Sequence, residues 1–232
     1  MLWLLLACTV APQTQDSGAD DSGAQDTGTR FEPLDGHGTL SGDCNALDDG
    51  EWDSDSPFSF RNTLDLLEGF EDEELLEQSQ IILSEGNLNS GSLYSEIFAF
   101  EAMARCEAAS LLKTEGKVDY SDPNGKKTDM LLLVDGRQVG LSVARGFTYP
   151  MGTEMTAEKA DELLEKKLGD LPLSQANGAG GDIWERSILH IIAVDSQHGD
   201  EIEAAWERMD SSIKMDLGLM ITVTDGADDA LY

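Results

Sequence analysis

Residues 128–145 read TDMLLLVDGRQVGLSVAR. Two apolar runs flank Asp135-Gly136, and that dipeptide suits a two-residue type I′ hairpin loop, both of whose central positions need positive φ. With those two residues as the loop, Val134 pairs with Arg137 and every opposed pair sums to the same number, so Asp129 faces Ser142. Residues two apart in a strand share a face. Asp129, Leu131, Gly140, Ser142 and Ala144 therefore belong to one face, and Met130, Leu132, Val139, Leu141 and Val143 to the other. Arg145 falls opposite Ala144 unless a bulge intervenes.

Working outward, Thr156 can cap a helix through Lys167, with Glu158 in its first turn and Gly169 just past its end. Residues 187–194 and 217–224 are short apolar runs, and 200–209 is an amphipathic helix. On the N-terminal side, Leu93, Ile97, Phe100, Ala104 and Leu111 form a 3.6-period stripe that predicts a helix over 92–113. Residues 118–120 read as a strand, and 62–67 and 71–83 as shorter helices with Asp72, Glu73 and Glu74 at the positive end of the second. The order α-β-β-β-α-β-α-β after N-terminal helices predicts a single α+β domain over 61–232. Residues 31–60, with aromatics and leucines among glycines, read as an irregular arm.

The chain carries 46 Asp and Glu against 15 Lys and Arg, a formal net charge of −31. That balance repels a phosphate backbone and disfavours nucleic acid as a partner. Lys126-Lys127 and Lys166-Lys167 are the adjacent basic pairs of the sequence, and each reads as solvated surface. Residues 9–30 contain DSGADDSGAQDTG and too few apolar groups to offset the entropy of ordering, which predicts a disordered acidic linker. Its acids lack the alternation and distal Glu of a calcium loop. His37, His190 and His198 show no metal-ligand spacing, and Trp184 and Trp206 read as packing residues. The string NGAGG at 177–181 reads as a connection rather than a phosphate cradle.

The start, MLWLLLAC, resembles the lipobox of bacterial lipoproteins, although no Lys or Arg precedes its apolar run. The likeness implies a signal over 1–8 and lipidation at Cys8. It also implies a domain held outside the cytoplasm, in a bacterial cell envelope, with a membrane as partner through the lipid. No later segment approaches the ~20 apolar residues of a spanning helix. Cys44 and Cys106 remain as either a disulfide pair or two buried thiols.

The 128–145 hairpin resembles the metal-site hairpin of the PD-(D/E)xK, or restriction-endonuclease-like, family, whose core is αβββαβ. The resemblance implies that fold, with a helix and a strand appended. It gives Asp129 the role of the first acid and metal ligand, but sets Ser142 where the second acid belongs and Ala144 where the lysine belongs. A further acid from the helix before the sheet is matched by Glu96, whose alternative is a structural ion pair with Arg145 or Arg105. Glu96, Asp129 and Ser142 are thus the catalytic candidates, and Arg145 is a ligand contact or an ion-pair partner. The segments LLKTE, KTD, VGLSVARG and LLEKKLGD also resemble a group of uncharacterised proteins in which a V-S-V-T-R-like string follows a Thr-Asp strand.

The resemblance implies a scaffold that has lost its chemistry and acts by binding a protein or small molecule, or as structure, with no cofactor. Its alternative is a Mg²⁺-dependent nuclease with a relocated lysine such as Lys113, Lys117 or Lys127.

Overall fold

The computed structural model describes residues 38–68, 71–88, 91–226 and 228–232. Cys8, the 9–30 linker and the first part of the 31–60 arm lie outside those residues. Strands β1 (Gly38–Gly42), β2 (Phe58–Leu66), β3 (Ser110–Thr114), β4 (Met130–Val134), β5 (Arg137–Gly146), β6 (Arg186–Ala193) and β7 (Gly218–Gly226) form one sheet. Their order is β1-β2-β7-β6-β5-β4-β3. The strands β2, β7, β6 and β5 run parallel, while β1, β4 and β3 are antiparallel to their neighbours. The helices are α1 (Asp49–Asp53), α2 (Glu77–Glu85), α3 (Leu93–Cys106), α4 (Ala157–Asn177), α5 (Ser196–Arg208) and α6 (Ser211–Lys214). The protein is mixed α and β, as the sequence predicts.

The hairpin forms in the expected register. Val134 opposes Arg137 and Met130 opposes Leu141, with φ of 48° at Asp135 and 77° at Gly136. The two faces separate as the alternation requires. Met130, Leu132, Val139, Leu141 and Val143 pack with α3 residues such as Ile97 and Phe100, whereas Ala144 packs with Leu164 and Leu168 of α4 and Ile202 of α5. Gly140 is a seat: a Cβ there would lie 2.4 Å from Nε1 of the buried Trp184. Every residue of β6 is buried, as befits a parallel strand covered on both sides.

Five stretches fold differently from their local pattern. In 71–83, read as one helix, Asp72–Glu74 form a separate 3-10 turn and α2 starts only at Glu77. Of residues 62–67, read as helix, 62–66 belong to β2, where Phe60, Asn62, Leu64 and Leu66 alternate inward. The polar Asn62 hid that period of two: its Oδ1 accepts from Thr222 Oγ1 at 2.6 Å, and Thr222 Oγ1 lies 2.7 Å from His190 Nε2. The helix read over 92–113 ends at Cys106, because Ala108 takes a φ of 50° and Leu111 and Leu112 pass into β3. That strand, with a register shift between Leu111 and Lys113, replaces the one read at 118–120, where Tyr120 makes an isolated bridge to Gly178. Finally, α4 runs past Gly169 and through Pro172 to Asn177, since Leu168, Leu171 and Ser174 continue its buried stripe. The arm also contains regular pieces, β1 and α1, and residue 61 lies inside β2.

Cys44 is bonded to Cys106. Beside it the buried Glu107 carboxylate accepts the Ala46 and Leu47 amides at 3.2 and 2.9 Å. The segment before α1 is thereby fixed to the C-terminal end of α3.

Candidate functional site

β4 begins at Met130, whereas β5 continues to Gly146, paired on its other side with β6. Beyond Leu141 the β4-side edge of β5 would be unpaired backbone, which is costly when buried. Asp129 meets that need. Its own N–H donates to Leu141 O at 3.1 Å, and its Oδ2 accepts the Val143 N–H at 2.6 Å. Thr128 locks the same corner, donating to Leu141 O at 2.9 Å.

A cleft of about 380 Å³ opens at this point and draws on both helical layers. α3 contributes Glu96, β5 contributes Val143, Ala144 and Arg145, and α4 contributes Leu163 and Lys167. Because β4 has stopped, both faces of β5 meet around its free edge. This is why Arg145 shares a cleft with Asp129, although strand alternation sends the two to different faces. The Arg145 guanidinium lies 5.3 Å over the Phe147 ring, and Phe147 meets the C-terminal Tyr232 edge-on at 5.9 Å.

Glu96 sits on a helix buried almost all round, so its carboxylate is held by local donors. Asn87 Nδ2 and Ser92 Oγ donate to its Oε1 at 2.6 and 3.0 Å. Neither arginine named as an ion-pair partner takes that role: Arg105 Nε pairs with Glu101 at 2.8 Å, and Arg145 lies on Phe147. Burial, with the charge of Asp129 adding to it, pushes the Glu96 carboxyl up to about 7. Burial likewise pushes Asp129 up to about 6, against the pull of the Val143 N–H and the Lys167 charge. Carboxyls with raised pKa values cluster at functional sites, which makes this cavity wall the candidate site.

Ser142 is half-buried and is not among the residues that line the cleft. Ala144 lines it and brings no charge. The lysines considered as relocated amines are engaged elsewhere: Lys113 with Asp182 at 2.6 Å, Lys117 with Glu85 at 3.8 Å, and Lys127 over the Tyr120 ring at 5.5 Å. The lysine brought to the cleft is Lys167 of α4. Glu115, half-buried in the turn after β3, raises the pKa of both Glu96 and Asp129 by its charge. Pattern reasoning did not single out Lys167, which lines the cleft, or Glu115, whose charge reaches it. The only local signal was their place in LLEKKLGD and LLKTE.

The donor set of Glu96 and Asp129 is hard oxygen, and their mutual repulsion is what a divalent cation relieves. Among the described residues no group of three or more His, Cys, Asp or Glu is placed to hold a metal ion. Mg²⁺ commonly binds through one or two carboxylates and completes its shell with water and substrate phosphate, so Glu96 and Asp129 are the residues that could hold it.

No family model matches the chain, and no solved structure matches it. Among curated proteins, the AAC-rich mRNA clone AAC4 protein of Dictyostelium discoideum is 31% identical over 143 residues. The match covers 58% of this chain and 20% of that protein, so the chain spans about a fifth of the relative's length.

Proposed function

We propose that the cleft is a divalent-cation-dependent site for phosphodiester hydrolysis, on a nuclease-like scaffold whose amine is supplied by α4 rather than by the hairpin. The observation that carries this reading is the convergence of Glu96, Asp129 and Lys167 on one cavity. The succession α3, β3, β4, β5, α4, β6 supports the scaffold, since it follows the αβββαβ order.

Glu96 and Asp129 would hold Mg²⁺, which when bound neutralises phosphate charge and makes a coordinated water more acidic. Asp129 is oriented for that task by the Val143 N–H, and Glu96 by Asn87 and Ser92. Lys167 offers its ammonium to a phosphate oxygen. Arg145, over the Phe147 ring, offers a planar guanidinium that can grip two oxygens at once.

Purified protein incubated with single-stranded DNA, duplex DNA and RNA in Mg²⁺ or Mn²⁺ tests this. Cleavage is expected, abolished in Asp129→Asn and lowered about 100-fold or more in Lys167→Met, the scale on which loss of a transition-state charge contact is felt. Absence of cleavage, or full activity in Asp129→Asn, refutes the reading.

One observation favours a second reading, a scaffold that binds without chemistry: Glu96 and Asp129 are the only acids lining the cleft among the described residues. That reading expects no change in melting temperature on adding Mg²⁺.

A further inference from the structure

Beside the cleft lies a shallower cavity of about 340 Å³ that shares Phe147 and Leu163 with it. Tyr149, Lys159, Glu162 and Lys166 also line it. We infer that this cavity is a stacking and phosphate subsite for an unpaired nucleic-acid strand, which makes single-stranded nucleic acid the substrate class of the neighbouring cleft. The inference rests on the phosphodiester reading of that cleft.

Three observations carry it. First, Tyr149 is 86% exposed, a large aromatic left in water where most of its kind are packed. The loop bearing it is not loose: the buried Thr148 donates to Thr153 O and lies 3.5 Å from the His198 ring, so the phenol is presented on a fixed support. Second, the cations here are unspent. Among the described residues, ion pairs engage Arg61, Arg105, Lys113, Lys117, Lys126, Arg137 and Arg208. Arg145, Lys159, Lys166 and Lys167 form none, like Lys127, Arg186 and Lys214 elsewhere, which are held by an aromatic ring or backbone carbonyls, in a chain with a formal net charge of −31. Third, the three lysines are aligned. Lys159, Lys166 and Lys167, with Leu163 between them, recur at one-turn and two-turn spacing along α4, which places them along one face of the helix. Glu162 is the one acid in the row.

Aromatic faces flanked by a line of positive charge suit single strands, because each base has a face to stack and each linkage a charge to neutralise. In a duplex those faces are already stacked on one another and cannot reach a ring on a protein surface. An acidic peptide would use the lysines and leave Tyr149 without a flat partner; an anionic bilayer, whose interface accepts a Tyr ring beside lysines, is told apart by the test.

The test uses the full chain carrying Asp129→Asn, so that the strand stays intact, and a short fluorescein-labelled oligothymidylate followed by anisotropy at low salt. Saturable binding is expected, at least tenfold tighter than to a blunt duplex of the same length. Tyr149→Ala should weaken it roughly five- to a hundredfold, the range given by one stacked base, and Tyr149→Phe should restore it. Lys159→Glu with Lys166→Glu should weaken it and flatten its salt dependence. No binding, equal or tighter binding to the duplex, indifference to these substitutions, or equal uptake by polyglutamate or phosphatidylglycerol vesicles overturns the inference. The two readings fail separately. Strand binding of this pattern by a wild-type chain that cleaves nothing removes the chemistry and keeps the subsite. Cleavage of single strands that Tyr149→Ala leaves unimpaired removes the subsite and keeps the chemistry.

Discussion

Glu96 is the residue whose burial costs the fold most visibly. Its carboxyl titrates near 7 in the folded chain against about 4.3 in an open one. A raised folded pKa contributes stability that is full below the unfolded value and is lost as pH rises through the folded value. Glu96→Gln keeps the shape and removes the charge, so it should melt a few degrees higher than wild type at pH 8 and near the same temperature toward pH 4.5. Added Mg²⁺ should raise the melting temperature of wild type at pH 8 and leave Glu96→Gln nearly unmoved, since binding to the native state stabilises it. Thermal melts at two pH values with and without Mg²⁺ decide the matter; a variant less stable than wild type at pH 8 would contradict it. Asp129 and Glu96 were legible in the sequence because a hairpin register and a helical stripe are local facts. Lys167 was not, because it stands in a lysine pair that nothing local distinguishes from solvated surface, and only the docking of α4 on the sheet gives it a role.

At the scale of elements, the readings held where burial followed one period and failed where a polar residue or a bulge interrupted it. The β4–β5 hairpin, β6, α5 and β7 were legible for that reason. β2 was not, because Asn62 occupies an inward position and satisfies itself with Thr222, a partner 160 residues away. The same pair belongs to a buried polar chain that runs to His190. Burial pushes that ring down to about 3 and keeps it neutral, and its Nδ1 has no hydrogen-bond partner among the described residues. Cys44 and Cys106 enclose a separation of 62 residues, for which chain entropy allows at most ~4 kcal/mol of stabilisation. Urea unfolding with and without reductant should show a loss up to that size, and Cys44→Ser with Cys106→Ser should reproduce it. A loss well beyond it would mean that the pair also supports native packing around Glu107.

Across the whole molecule, acidity and site chemistry pull in opposite directions. The net charge of −31 slows the approach of any polyanion, so cleavage or binding of an oligonucleotide should first rise with added Mg²⁺ as the surface is screened. It should then fall as monovalent salt competes for the α4 lysines. A rate that only rises with salt would deny those lysines a role. The proposed anchor predicts that Cys8→Ala moves the protein from the membrane fraction to the soluble one and abolishes labelling by a fatty-acid analogue. Retention of the variant with membranes would remove the lipid from the account.

The position of β7 between β2 and β6 has a consequence for biogenesis. Phe58 of β2 pairs with Gly218 of β7, so an early strand finds its parallel neighbour only once that distant segment is present. Such distant pairing is slow to form, and strands waiting for it expose a free edge to other chains. During synthesis, N-terminus first, β1 and β2 would wait as an unclaimed pair while the α3-to-β6 portion assembles. β7, the last strand of this sheet in chain order, is the one that joins its two parts.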